Sequence, residues 1–211
     1  MDWVLSTVST GSESFKLIHF DSVDYPIIPN SVVHNDSSLE EAETELGSVL
    51  WMDAIELFLP YLYIELANTE NKSVLCLGEG TGACGCGLTS YFEKVFITDL
   101  PKLFPLLHAN AKLNDPKIIP AILDWTDPSL TVSPSVIIGC EVLYGNRFVW
   151  PHLMTTLVKY AGKDSVVYLC VTLRNARRDI DDFRNEYLRH HYPNISEIAL
   201  STNVSVLKCS M

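Results

Sequence analysis

The chain has 211 residues, 47% hydrophobic and 19% charged, which suits one globular domain with a sizeable core. Its net charge is -11 and it has no Lys/Arg run long enough to grip a phosphate backbone, which argues against nucleic acid as the main partner. No apolar stretch is long enough for a membrane span, no signal peptide is visible, and the six cysteines lack Cys-x-x-Cys spacing. The expectation is a cytoplasmic protein with buried, reduced thiols, without a disulfide framework, a metal site or a membrane role.

Residues 1–30 alternate loosely. Phe15, Leu17, Ile18 and Phe20 suggest a strand, and Pro26 and Pro29 end a second one, so an N-terminal hairpin is expected. Residues 31–46 are polar and acidic and read as a solvated connection; the domain proper is expected over 47–211. From Trp51 a helical stripe runs through Ala54, Ile55, Phe58 and Leu62, with Pro60 expected to kink or split it.

Residues 74–82, Val-Leu-Cys-Leu-Gly-Glu-Gly-Thr-Gly, are the most informative stretch. Val74 to Leu77 is too short for a helix and too apolar for an exposed strand, so it reads as an inner parallel strand. Gly78, Gly80 and Gly82 then let the backbone turn and approach a ligand, with a helix expected from Ala83 to Phe92 beside it. The spacing is neither a P-loop nor the dinucleotide fingerprint.

Beyond Gly82, strands and helices alternate. Strands are expected at Val95–Thr98, Ile118–Leu123, Val136–Cys140 and Val166–Thr172, and a terminal antiparallel pair at Ile195–Leu200 and Val204–Cys209. Helices are expected from Leu103 to Leu113, Phe148 to Tyr160 and Asp179 to His190. The order implies an α/β fold, a doubly wound seven-stranded sheet, mostly parallel with an antiparallel C-terminal strand and helices on both faces. A ligand then belongs at the carboxyl ends of the strands.

Those ends carry polar residues. Asp99 lies 21 positions beyond Gly78, the distance at which a carboxylate can accept from both hydroxyls of a ribose. Asp124 ends the next strand and could accept from the exocyclic amine of a base, while Trp125 offers a stacking face. Glu141 follows Cys140. Arg177–Asp181 and Arg178–Asp182 have the spacing of surface ion pairs, and Asn110 with Asn114 fits either an ordering role or simple surface placement.

Together these segments resemble the S-adenosylmethionine-dependent methyltransferases of the seven-β-strand class, and more specifically methyltransferase family 16, rich in eukaryotic protein-lysine methyltransferases. The markers are Gly47-x-x-x-Trp51, the glycine loop, Thr98-Asp99, Asn110 with Asn114, Asp124-Trp125 and Glu141-Val-Leu-Tyr144. The resemblance implies a cofactor site built from Trp51, Gly78, Glu79, Gly80, Gly82, Asp99, Asp124, Trp125 and Cys140. It implies that Glu141 and Tyr144 face the target lysine. It further implies S-adenosylmethionine as cofactor and a protein substrate such as a translation elongation factor or chaperone, acted on by a monomer. Two positions depart from the family pattern: Cys76 stands where an acidic residue is usual, and Glu141 where Asp is usual. They motivate the competing reading, a non-catalytic interaction module of the same fold.

Overall fold

The computed structural model describes residues 3–20, 47–68, 72–143, 147–173 and 177–211. An N-terminal hairpin pairs β1 (Trp3–Thr10) with β2 (Glu13–Phe20) around Gly11. The partner of the strand expected at Phe15–Phe20 is thus upstream of it; the expected strand near Pro26 and the acidic segment 31–46 lie outside the described residues. Val8, Phe15 and Leu17 turn inward and join the core.

Helix α1 (Met52–Leu66) runs through Pro60 without splitting. Pro60 removes the donor for the carbonyl of Glu56, a residue on the exposed side of the helix where water can replace it. Buried Ala54, Ile55, Phe58, Leu59, Leu62, Tyr63 and Leu66 hold both halves of the helix against the core.

The main sheet has β3 (Ser73–Leu77), β4 (Lys94–Asp99), β5 (Ile118–Ile122), β6 (Val136–Cys140), β7 (Val166–Thr172), β8 (Asn194–Ala199) and β9 (Val204–Ser210). Their order is β5-β4-β3-β6-β7-β9-β8. β3 pairs in parallel with β4 and β6, as β4 does with β5 and β6 with β7; β9 alone runs against its neighbours β7 and β8. Pro120 lies in β5, at the sheet edge where its missing donor is tolerated.

Alternate residues of β3 feed two cores. Val74 and Cys76 pack with α1 and the hairpin on one face, while Leu75 and Leu77 pack with α4 (Trp150–Tyr160) and α5 (Arg177–Glu186) on the other. Helix α3 (Phe104–Leu113) connects β4 to β5. Helix α2 spans only Ala83–Gly87, shorter than expected. Gly82, Gly85 and Gly87 fall within six residues, and each glycine inside a helix costs about 1 kcal/mol relative to alanine. Gly87 is also packed so tightly that a Cβ would come within 2.6 Å of Leu59.

The chain leaves β3 toward β4 and β5, then crosses back to β6. The crevice between the ends of β3 and β6 is therefore the topological switch point, where ligands of open α/β sheets bind.

Candidate functional site

Gly78, Gly80 and Gly82 all have positive φ, at 58°, 57° and 83°. The requirement is strictest at Gly80, where a Cβ would overlap the carbonyl oxygen of Gly47. At Gly78 a Cβ would stand 3.2 Å from both Trp125 and Val142. The loop is therefore drawn against three other segments: the stretch before α1, the end of β5 and the end of β6.

Asp99 fastens this loop to β4. Its Oδ2 accepts the amide of Gly80 at 2.7 Å and its Oδ1 the amide of Leu100 at 2.7 Å. The residue is 9% exposed, so these charge-assisted bonds hold its carboxylate in place. The loop is closed further by the amide of Glu79 donating to Thr98 and that of Gly82 to the Glu79 carbonyl. Buried Thr98 donates its hydroxyl to the carbonyl of Cys76 at 2.7 Å.

At the end of β5, Asp124 Oδ1 accepts the amide and the hydroxyl of Thr126 at 2.8 and 2.7 Å, which shapes the turn that lays Trp125 beside Gly78. Trp51 stands at the N-terminal boundary of α1, four residues after the Gly47 carbonyl that meets Gly80.

Glu141 follows β6 in the left-handed region, φ 58°, an uncommon conformation for a residue with a side chain. Its Oε1 accepts the amide of Thr172 at 2.6 Å and the hydroxyl of Thr172 at 2.7 Å. Thr172 was not singled out from the sequence, although it occupies the end of β7, the next strand end after that of β6. Tyr144 lies outside the described residues.

Cys140, at the end of β6, is the one cysteine of the six that is not buried. Cys170 is its register partner on β7. Cys170 and Cys84 donate to its sulfur; those bonds and burial push both donors up and bias Cys140 toward thiolate. Glu79 Oε2 accepts the amide of Gly85 at 3.1 Å. Burial pushes its carboxyl up to about 8, with Cys140 and Asp99 adding to the rise and the Gly85 amide opposing it.

Asn110 and Asn114 prove to be ordering residues. Asn110 Oδ1 accepts the amide of Ile18 at 2.7 Å, and its Nδ2 donates to the carbonyls of Ile18 and Thr81 at 3.0 and 2.8 Å. Asn114 makes the same paired contact with Lys16, at 2.9 and 2.7 Å. Of the expected ion pairs, Arg178 reaches Asp182 at 3.6 Å, while the Arg177 side chain is outside the description. Arg147 instead bridges Asp179 and Asp182, at 2.6 Å each.

A family model described as lysine methyltransferase matches residues 34–187. The chain belongs to the lysine methyltransferase family. By that membership it is an S-adenosylmethionine-dependent methyltransferase.

Its relatives include the protein N-lysine methyltransferase METTL21A of Xenopus tropicalis, 26% identical over 205 residues that cover 93% of this chain and 90% of that protein. The METTL21A of Danio rerio is 28% identical over 141 residues, 63% of each chain. Among solved structures, the N-methyltransferase NodS of Bradyrhizobium japonicum in complex with S-adenosyl-L-homocysteine superposes with a TM-score of 0.58 at 15% identity, over 82% of this chain and 95% of that one. The glycopeptide N-methyltransferase MtfA with S-adenosyl-L-methionine gives 0.61 at 9% identity, over 72% and 92%. At these identities the structural likeness shows a shared fold.

The residues of this lysine methyltransferase fit such a cofactor. The glycine loop leaves no room for a Cβ at Gly80, the Asp99 carboxylate is anchored beside it, and an indole lies against Gly78.

Proposed function

We propose that this chain transfers methyl groups to a lysine of a cytosolic protein, with a translation elongation factor or a chaperone as the substrate class. The bond between Asp99 and Gly80 supports the reading, because it holds a carboxylate suited to accept from a ribose diol against the glycine loop at one strand-end crevice.

Bound S-adenosylmethionine supplies a methyl group on a positively charged sulfur. The reaction is an in-line displacement in which the N–C bond forms as the C–S bond breaks, leaving S-adenosylhomocysteine and releasing one proton from the amine. Positioning and exclusion of water therefore matter more than a nucleophilic side chain. In this reading Asp99 holds the ribose hydroxyls, Asp124 faces the adenine amine, and Trp125 and Trp51 line the pocket. The lysine must arrive neutral, against a free pKa of about 10.4. Burial beside aromatic side chains and a sulfonium both disfavour its ammonium form. Glu141 accepts from the amine and orients its lone pair, and Thr172 keeps the carboxylate aimed. The acidic surface, net charge -11, favours encounter with a basic segment of the substrate.

The test is transfer of radiolabelled methyl from S-adenosylmethionine into a cytosolic extract, with the labelled protein identified by mass spectrometry. Label on a lysine of a translation factor or chaperone, lost on Asp99→Ala with Trp51→Ala, is the expected result. No labelled protein from any extract, although the enzyme is folded, would favour the interaction-module reading instead.

A further inference from the structure

Two free thiols stand side by side where β6 and β7 end. Cys140, the last residue of β6, is the register partner of Cys170 on β7. The ladder runs one step further, the amide of Glu141 donating to the Cys170 carbonyl at 2.9 Å. Register partners on neighbouring strands project to the same face of the sheet, here the face covered by α1. Cys84 of α2 packs into the same core, and both Cys84 and Cys170 donate to the Cys140 sulfur. Cys84 and Cys170 are 2% and 0% exposed, whereas Cys140 is only half-buried.

This arrangement gives Cys140 what the other cysteines lack. A small oxidant can reach it, and two S–H donors favour its thiolate, the nucleophilic form. A second thiol is also within reach. Neighbouring strands lie about 4.7–4.9 Å apart, inside the Cα separation of about 4.4–6.8 Å that a disulfide spans. The site adjoins the crevice on two sides. Leu77 pairs with Gly139, so the next residues on the two strands are Gly78 of the glycine loop and Cys140. Glu141 comes immediately after, tied to Thr172.

We propose that Cys140 is an oxidation site, where a peroxide drives formation of a Cys140–Cys170 disulfide that weakens cofactor binding; the effect on binding rests on the cofactor reading above. In the first step the Cys140 thiolate attacks one peroxide oxygen. The S–O bond forms as the O–O bond breaks, the sulfur is oxidised to a sulfenic acid, and the departing hydroxide takes a proton to become water. The Cys170 sulfur then attacks the Cys140 sulfur. The S–S bond forms as the S–O bond breaks, and the oxygen leaves as water with the Cys170 proton. The Cβ atoms of a disulfide stand about 3.8 Å apart, about 1 Å closer than the strand spacing, so the ends of β6 and β7 draw together. That movement takes the end of β6 away from the glycine loop and disturbs the setting of Glu141. A thiol reductant reverses it.

The test uses the reduced protein, exposed to hydrogen peroxide, then alkylated, digested and mapped by mass spectrometry. Calorimetry reads S-adenosylhomocysteine affinity before peroxide, after it, and after dithiothreitol. A Cys140–Cys170 link is expected, with affinity lowered on the order of tenfold. Dithiothreitol should restore it, although it leaves methionine sulfoxide in place. Cys170→Ala should bind S-adenosylhomocysteine as the wild type does and, after peroxide, carry a sulfenic acid at Cys140 that dimedone traps. Absence of a link at Cys140, a link to another cysteine, or a Cys140–Cys170 link that leaves affinity unchanged overturns the proposal while the cofactor reading stands. Failure of the reduced wild type to bind S-adenosylhomocysteine overturns the cofactor reading and this proposal with it.

Discussion

Glu141, just after β6, and Thr172, the last residue of β7, are joined across two neighbouring strand ends, the carboxylate of one accepting both the amide and the hydroxyl of the other at 2.6 and 2.7 Å. The contact steadies an acidic side chain whose backbone is itself in the left-handed region. Replacing Thr172 by valine removes the hydroxyl bond at constant shape and leaves the carboxylate with one donor fewer. The expected cost is about 1.5–3 kcal/mol in urea denaturation, with a fall in kcat larger than any change in KM for the cofactor. Thr172→Ser should recover most of both. Equal kcat for the valine and wild-type proteins would remove Thr172 from the site.

Gly80 faces a backbone oxygen that cannot move out of the way cheaply. Gly80→Ala asks for a side chain at φ 57° and for a Cβ on top of the Gly47 carbonyl. The expected loss is about 2 kcal/mol or more, from left-handed strain and overpacking together. S-adenosylhomocysteine binding should fall by more than the loss of folded protein explains, as calorimetry at low temperature would read. Unchanged stability would mean that the stretch before α1 does not hold the loop.

Asn110 ties the hairpin to the glycine loop through three hydrogen bonds and is 0% exposed. Asn110→Ala should cost about 3 kcal/mol, whereas Asn114→Ala, whose bonds to Lys16 are exposed, should cost about 1 kcal/mol. Hydrogen exchange gives the local reading: the Ile18 amide should lose protection in the first variant and the Lys16 amide in the second. If neither amide changes, the hairpin is held by its buried apolar face alone.

The raised Glu79 carboxyl makes a prediction without any ligand. Its pKa lies near the ordinary value of 4.5 in the unfolded chain and at about 8 when folded, so between those values the folded state binds more protons. Stability from this group is complete below pH 4.5, declines as pH rises toward 8, and is level beyond. The difference in unfolding free energy between Glu79→Gln and wild type should therefore grow in favour of the glutamine variant from pH 5 to pH 8. A difference independent of pH would show an ordinary, solvated carboxylate.

The sheet was legible because its strands are local signals. Val136–Cys140 and Val166–Thr172 are apolar runs that stop at their own ends, and a buried parallel strand needs no more than that. The glycine loop was legible for the same reason, since positive φ leaves its trace in residue type. Asp99 followed from its distance along the chain to Gly78. The length of α2 was misjudged, and Pro60 does not split α1, because each depends on what the helix packs against.

By itself, then, the sequence determined the strand and helix alternation, the placing of the glycines and the acidic strand ends, because backbone conformation and burial period are written residue by residue. The tertiary structure decided the partners. Thr172 lies 31 residues from Glu141, Ile18 lies 92 from Asn110, and the thiols around Glu79 come from β3, α2 and β6. Such contacts are set by how the sheet and its helices close in space. A carboxyl that keeps its proton among thiols is a property of that enclosure, and no spacing along the chain encodes it.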